Sequence, residues 1–142
     1  MRIFFDANIC LDLLDRTRPT SEAAIMWYIA HKDDEDTQFL FSGDFITTIF
    51  YILNERKKFP SEEVVAAIDA LCEEIVPFYI EHSDYLLAKA SFDEGRSGDF
   101  EDLMILASAK RAKCDLFLTN DTELLDMREF DGMQIDSLMN ES

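Results

Sequence analysis

The sequence predicts an α/β domain built on a parallel sheet that helices cover on both faces. Two observations support this prediction. The chain contains short apolar runs that are typical of buried strands, and these runs alternate with longer segments whose apolar residues recur at helical spacing. Strands that alternate with helices form βαβ units, and such units imply a parallel sheet with helices on both faces. The chain has 142 residues, 48% of them hydrophobic, so one packed domain is expected.

The first half of the chain is predicted to form two strands and four helices. Residues 2–5 are an apolar run that ends in an acid, and residues 38–41 are a second such run. Thr20 or Ser21 is suited to cap a helix, and Pro60 opens another one ahead of a serine and two glutamates. The helices of this half are predicted, in chain order, at residues 7–14, 20–31, 45–56 and 60–74.

The second half is predicted to alternate in the same way. Its strongest helix covers residues 99–113, where Leu103, Leu106 and Ala107 follow the helical turns. A glycine-containing loop at 95–98 precedes that helix. The remaining elements are predicted to be strands at 75–80, 115–119 and 133–135, a helix at 82–94 and a helical turn at 122–127.

The charge balance is strongly acidic. There are 30 Asp and Glu residues against 13 Lys and Arg residues, which gives a net charge of −17. This balance excludes a broadly basic nucleic-acid binder, because the chain as a whole repels phosphates. Three interpretations stay open: solubility, a metal site that gathers carboxylates, and a basic partner. No apolar run approaches the roughly 20 residues that span a bilayer, so no membrane partner is expected.

The cysteines indicate a reducing environment. Cys10, Cys72 and Cys114 are odd in number, far apart and without a CxxC motif, so we expect buried thiols in the cytoplasm. Zinc is not expected, because His31 and His82 are the only histidines and neither has ligand spacing.

Four aspartates are predicted to converge at one edge of the sheet. Asp6 follows the first strand and Asp121 follows the strand at 115–119, while Asp99 and Asp102 open the long helix three residues apart. Ligands of open parallel sheets collect beyond the carboxyl ends of the strands. Like charges in one crevice are costly unless a cation neutralises them, and oxygen donors favour Mg²⁺ or Mn²⁺. The sequence therefore predicts a divalent metal site suited to phosphoester hydrolysis by water.

Polar neighbours of these acids complete the predicted site. Asn8 is placed to orient Asp6, and Thr119 and Asn120 are placed to hold a water or a phosphate oxygen. Each residue also has an ordinary structural interpretation, since Asp99 is suited to cap a helix and an Asn-Asp pair often forms a turn.

Three segments resemble PIN domains. They are residues 1–14, 99–109 and 116–121, which are similar in order and spacing to the opening strand and helix, the acidic third motif and the closing strand of that family. The resemblance implies a three-layer α/β/α sandwich with a central parallel sheet. It also implies a Mg²⁺- or Mn²⁺-dependent ribonuclease that cleaves single-stranded RNA, commonly the toxin of a VapC-like toxin–antitoxin pair.

The resemblance also implies roles for individual residues. Asp6, Asp102 and Asp121 match the family's metal-binding acids. Asp99 matches an accessory acid of a subset of the family, and it joins those three as a candidate catalytic residue and metal ligand. Asn8 and Thr119 match polar supporting positions.

One position departs from the family pattern. The resemblance places Thr48 where an acid usually follows the second strand, and Asp44 lies one helical turn earlier on the same face. Asp44 either substitutes for the missing acid or caps its helix. A missing ligand would weaken metal affinity, so the alternative function is a catalytically weakened PIN-like module that binds a basic protein partner.

The expected partners are an RNA substrate, an antitoxin with a basic segment and, in addition, a second copy of the chain. Aromatic and aliphatic side chains are candidates to line a groove for a partner helix or that second copy: Ile25, Trp27, Tyr28, Phe50, Tyr51 and Phe59. The predicted domain covers residues 1–138, and residues 139–142 are expected to be a frayed tail.

A third interpretation is a haloacid-dehalogenase-type phosphatase. In that interpretation Asp6 is the nucleophile and Asp99 and Asp102 belong to a late acidic motif. Asn8 stands where the second acid of the opening DxD motif belongs, and no suitable lysine follows a middle strand.

Overall fold

The chain forms one six-stranded sheet, seen in a computed structural model that describes residues 1–96 and 98–138. The strands lie in the order β3-β2-β1-β4-β6-β5. All neighbouring pairs are parallel except β5 and β6, which are antiparallel. The strands are β1 (Arg2–Phe5), β2 (Gln38–Ser42), β3 (Val76–Phe78), β4 (Leu116–Leu118), β5 (Glu129–Phe130) and β6 (Met133–Asp136).

Helices connect the strands and cover both faces of the sheet. They are α1 (Ala7–Leu14), α2 (Ser21–His31), α3 (Ile46–Tyr51), α4 (Ser61–Glu74), α5 (His82–Asp93), α6 (Phe100–Arg111) and α7 (Thr122–Met127). None of the helices in the described part of the chain is long and apolar enough to cross a membrane. The predicted tail at 139–142 lies outside the described residues.

Successive residues of β1 face opposite layers. Ile3 and Phe5 belong to a core shared with α1, α2 and α4, whereas Phe4 belongs to a second core shared with α5, α6 and α7. Phe4 is fully buried because α5, α6 and α7 cover the face of the sheet on which it lies. The predicted three-layer α/β/α sandwich is therefore confirmed, with a sheet that is mostly parallel.

The helix predicted at residues 45–56 is three consecutive segments. A 3₁₀ turn at Gly43–Phe45 leads into α3, and a π-helical turn follows at Ile52–Arg56. The π turn is closed by the backbone N–H of Lys57, which donates to the carbonyl of Ile52 at 3.0 Å.

The strand β5 was not predicted. It forms a hairpin with β6, in which Phe130 pairs with Met133 across the two-residue loop Asp131-Gly132. Both loop residues have positive φ, 52° and 91°, the conformation that two-residue hairpins favour. The Asp-Gly pair is the sequence signal that predicts such a hairpin.

The three cysteines are free thiols. Cys10 and Cys114 are buried as expected, whereas Cys72 is only half-buried. Burial raises the pKa of the Cys114 thiol to about 12, so this thiol stays protonated and inert at neutral pH.

Candidate active site

Asp6 lies where β1 meets α1, at the carboxyl edge of the sheet. Its backbone N–H donates to the carbonyl of Leu118 at 2.9 Å, so the ends of β1 and β4 lie side by side. One carboxylate oxygen, Oδ1, accepts from the N–H of Ala7 at 2.8 Å and caps α1. The side chain is only 8% exposed, so the carboxylate depends on the protein for its polar partners.

Thr119 joins the two strand ends through one fully buried hydroxyl. The hydroxyl donates to Oδ2 of Asp6 at 2.6 Å and accepts from the backbone N–H of Asp121 at 3.0 Å. The side-chain amide of Asn8 donates to the same Oδ2 at 3.2 Å, while its Oδ1 accepts from the backbone N–H of Asn120 at 3.2 Å. Thr119 and Asn8 therefore hold Asp6 against the loop that carries Asp121.

Asp121 and Asp99 open the two helices at this edge. Oδ1 of Asp121 caps α7 by accepting from the N–H of Glu123 at 2.9 Å. Oδ1 of Asp99 caps α6 in the same way, accepting from the N–H of Glu101 at 2.9 Å. The capping role considered for Asp99 is thus real, and it fixes where the carboxylate lies.

Asp102, in the first turn of α6, is the acid whose pKa is affected by all three of the other aspartates. Burial raises the pKa of its carboxyl to about 6, and the charges of Asp6, Asp121 and Asp99 add to that rise in this order. The pKa of Asp6 is also raised, chiefly by burial and further by the charge of Asp121, although hydrogen bonds from Thr119 and Ala7 oppose the rise. Asp102 is therefore repelled by the other three aspartates, and Asp6 is repelled by Asp121; these four residues form the acidic crevice of the site.

The donor chemistry of this crevice fits a hard divalent cation. The four acids offer only oxygen, and their mutual repulsion would be relieved by positive charge. Within the described ranges 1–96 and 98–138, no three His, Cys, Asp or Glu side chains lie close enough to bind one ion jointly. Mg²⁺ usually keeps several waters and needs only one or two carboxylates, so this spacing is compatible with such an ion.

Asp44 and Thr48 lie on the segment that follows β2. Oδ2 of Asp44 accepts from the backbone N–H of Ile80 at 2.8 Å and from the hydroxyl of Ser42 at 3.2 Å. Asp44 therefore ties the end of β2 to the chain beyond β3, a role that neither interpretation of this residue included. Thr48 is exposed on α3.

Sequence reasoning missed one residue of this region. Asp12, inside α1, is fully buried, and its Oδ2 accepts from the side-chain amide of Asn120 at 2.8 Å. The signal was present, since an acid lies between Leu11 and Leu13 in a helix whose only other strongly polar side chain is that of Asn8. Such an acid needs polar partners, and the sequence does not indicate which.

The aromatic residues proposed to line a groove are divided among several environments. Ile25 and Tyr28 do line an apolar groove between α1, α2 and α4, together with Leu13 and Leu71. Phe59 lines a smaller adjoining pocket. The others lie elsewhere, with Trp27 buried, Phe50 half-buried and Tyr51 exposed beneath Arg56.

Comparisons with solved structures place the fold among bacterial toxins. The toxin VapC20 of Mycobacterium tuberculosis, described as cleaving the sarcin-ricin loop, superposes with a TM-score of 0.69 at 16% identity, covering 93% of this chain and 98% of that one. VapBC-1 from nontypeable Haemophilus influenzae gives 0.66 at 20% identity, covering 98% and 99%. VapBC2 from Rickettsia felis, bound to a promoter DNA fragment, gives 0.66 at 13% identity, covering 96% and 98%.

The sequence comparisons identify the family. Among curated protein sequences, none matches this chain. The PIN domain family profile matches residues 3–130, a span that begins in β1, ends in β5 and includes all four aspartates of the crevice. The resemblance noted from three sequence segments is confirmed, and the chain belongs to the PIN domain family.

Proposed function

We propose that this protein is a metal-dependent endoribonuclease that cleaves single-stranded RNA, and that it acts as the toxin of a toxin–antitoxin pair. The observation that carries the proposal is that Asp6 and Asp121 follow the adjacent strands β1 and β4 of a PIN-family sheet, linked by the Thr119 hydroxyl, with Asp99 and Asp102 at the start of α6. The similarity in fold to VapC20, described as a toxin that cleaves the sarcin-ricin loop, and to VapBC-1 supports the same conclusion. A cytoplasmic location is part of the proposal, in keeping with three free thiols.

In this proposal Mg²⁺ or Mn²⁺ would bind beside Asp6, Asp102, Asp121 and Asp99, with one or two of these carboxylates contacting the cation and the others acting through its bound waters. When bound, the cation would lower the pKa of a water molecule and offset negative charge on the scissile phosphate. Thr119 and Asn8 fix the orientation of the Asp6 carboxylate.

The direct test is cleavage of a fluorescently labelled single-stranded RNA with Mg²⁺ or Mn²⁺. Asp6→Asn and Asp102→Asn should each lower kcat by at least about 100-fold, because each removes a charge that the cation needs. Asp69→Asn is the matched control, since it removes the same charge from an exposed position on α4 and should cleave like the wild type. Equal activity in all four proteins would indicate a contaminating nuclease and would end the proposal.

An antitoxin with a basic segment is the partner that best suits the acidic charge of the protein and the apolar groove between α1, α2 and α4. The net charge of −17 attracts a cationic chain, and the groove lined by Ile25 and Tyr28 can accept an apolar helix face. We expect the product of a small neighbouring reading frame with a basic tail to co-purify with this chain. Ile25→Glu should weaken that association, whereas Ile29→Glu, on the exposed side of the same helix, should not.

A second function remains, namely a PIN-like module that binds a basic partner without catalysis. It is favoured by Thr48 in place of an acid and by the absence, within residues 1–96 and 98–138, of three closely grouped ligands. Calorimetry with Mn²⁺ separates the two functions, because no heat of binding at millimolar concentration would support the module. The phosphatase interpretation is not retained, since the chain belongs to the PIN family.

A further inference from the structure

Asp12 is a buried carboxylate that the proposed reaction does not use. It lies in α1, is fully buried, and accepts hydrogen bonds from three side chains. Oδ1 accepts from Nε of Arg18 at 2.6 Å and from the hydroxyl of Thr20 at 2.6 Å, while Oδ2 accepts from the side-chain amide of Asn120 at 2.8 Å. A buried charge persists only where it is paired and fully hydrogen-bonded, and these three donors meet that need.

The two oxygens of Asp12 face different parts of the chain. Among the described residues, Oδ1 is bound by Arg18 and Thr20, in the segment that leads into α2, and this is local packing between neighbouring helices. Oδ2 is bound by Asn120, which is 108 positions away in the sequence and belongs to the loop after β4. The Asp12 carboxylate therefore joins two segments of the chain: the one between α1 and α2, and the loop that carries Asp121.

From Asn120 the connection continues to the metal-binding acids. Its backbone N–H donates to Oδ1 of Asn8, and the amide of Asn8 donates to Oδ2 of Asp6. The next residue along the chain is Asp121, whose own N–H is held by Thr119. A shift of Asn120 would thus move Asp121 directly and would disturb Asp6 through Asn8.

We infer that Asp12 is a positioning residue, which holds Asn120 so that Asp6 and Asp121 keep the separation required for a shared cation. This inference rests on the proposed function in so far as it concerns the cation. The positive charge of Arg18 compensates the negative charge of the buried Asp12 carboxylate. The hydrogen bond from Asn120 to the same carboxylate fixes the position of the loop that carries Asp121.

Two single substitutions divide the roles of the two oxygens. Asn120→Ala removes the hydrogen bond to Oδ2, and Thr20→Ala removes one hydrogen bond to Oδ1. The two variants lose the same number of bonds to the same carboxylate, so a purely structural role for Asp12 predicts similar effects. The positioning role predicts that only Asn120→Ala disturbs the site.

Three measurements on the full chain distinguish these cases. Amide hydrogen exchange at position 120 and at Asp121, relative to the intrinsic rate of each residue, should be at least about 10-fold faster in Asn120→Ala than in the wild type. It should be unchanged in Thr20→Ala. Mn²⁺ affinity, measured by calorimetry, should fall about 10-fold in Asn120→Ala only, as is usual when a group that orients a ligand is removed. RNA cleavage by Asn120→Ala should show a lower kcat than that of the wild type, with little change in KM, whereas Thr20→Ala should cleave like the wild type.

A donor–acceptor exchange gives a further check that does not depend on metal or RNA. Asn120→Asp replaces the donor to Oδ2 of Asp12 by a second carboxylate, so exchange at this loop should speed up. Adding Asp12→Asn restores a donor–acceptor pair, with an acceptor kept for Arg18, and should slow exchange again. Should the double variant fail to fold, the comparison of Asn120→Ala with Thr20→Ala decides alone.

The outcomes separate the inference from the proposed function. Equal exchange rates in Asn120→Ala, Thr20→Ala and wild type would overturn the positioning role even if the wild type cleaves RNA. Faster exchange confined to Asn120→Ala would support it even if the wild type binds no Mn²⁺, and in that case the proposed function alone would fail.

Discussion

Replacing Asp102 by asparagine should make the metal-free protein more stable at neutral pH. A carboxyl whose pKa is about 6 in the folded state and 3.8 when unfolded is disfavoured, once ionised, by about 3 kcal/mol at 1.36 kcal/mol per tenfold change in the ionisation constant. Asp102 is half-buried, and solvent screening reduces this figure to about 1–2 kcal/mol. Asparagine keeps the size of the side chain and removes the charge.

The sign of the pH dependence follows from the raised pKa. Between pH 3.8 and about 6 the folded state holds the Asp102 proton more tightly than the unfolded state does. The contribution of Asp102 to stability is therefore fully present below pH 3.8 and is lost as the pH rises through about 6. The advantage of Asp102→Asn should be largest at pH 7 and roughly half as large at pH 5.

Urea unfolding followed by circular dichroism measures this difference. We expect the free energy of unfolding of Asp102→Asn to exceed that of the wild type by about 1–2 kcal/mol at pH 7 without added metal. Asp69→Asn, which removes a charge from an exposed site, should change the free energy of unfolding by less than about 0.5 kcal/mol. A variant at Asp102 that is equal to or less stable than the wild type would refute the account of a mutually repelling acidic crevice.

Three further substitutions test other contacts described above. Thr119→Val should lower the free energy of unfolding by about 1–3 kcal/mol in urea titrations and should reduce RNA cleavage, because Asp6 loses its shortest side-chain hydrogen bond. Gly43→Ala should change the free energy of unfolding by less than about 1 kcal/mol, because its Cβ would lie 2.5 Å from the outer ring atoms of Tyr79, and that exposed ring can turn away. Gly132→Ala should lower the melting temperature by several degrees, since φ at this position is +91°.

Much of the fold could be predicted because the sequence marks its ends locally. The apolar run of β1 stops at Asp6, which is also the cap of α1, so the predicted bounds of both elements match the structure. The hairpin of β5 and β6 was only half predicted, because a two-residue strand has no measurable periodicity. The π turn at Ile52–Arg56 was not predicted, since nothing in the side chains alone distinguishes it from an α-helix.

The site was predictable to the extent that sheet topology determines it. Asp6 and Asp121 follow parallel strands, and such strands bring their carboxyl ends to one edge whatever lies between them. The contacts of Asp44 and Asp12 were not predictable in this way. Asp44 binds a backbone N–H 36 residues away, and Asp12 binds a side chain 108 residues away, so both depend on the final packing of loops.

The hydroxyl of Thr119 has a consequence for how the protein is made. It bonds Asp6 across 113 positions of sequence, and β4, which brings it there, pairs with β1 only after residues 116–118 have been synthesised. A ribosome-bound chain that lacks β4 would expose Asp6 without Thr119 or Asp121. If the proposed ribonuclease activity is correct, a growing polypeptide would be harmless to the messenger that encodes it until β4 and the residues after it have been synthesised.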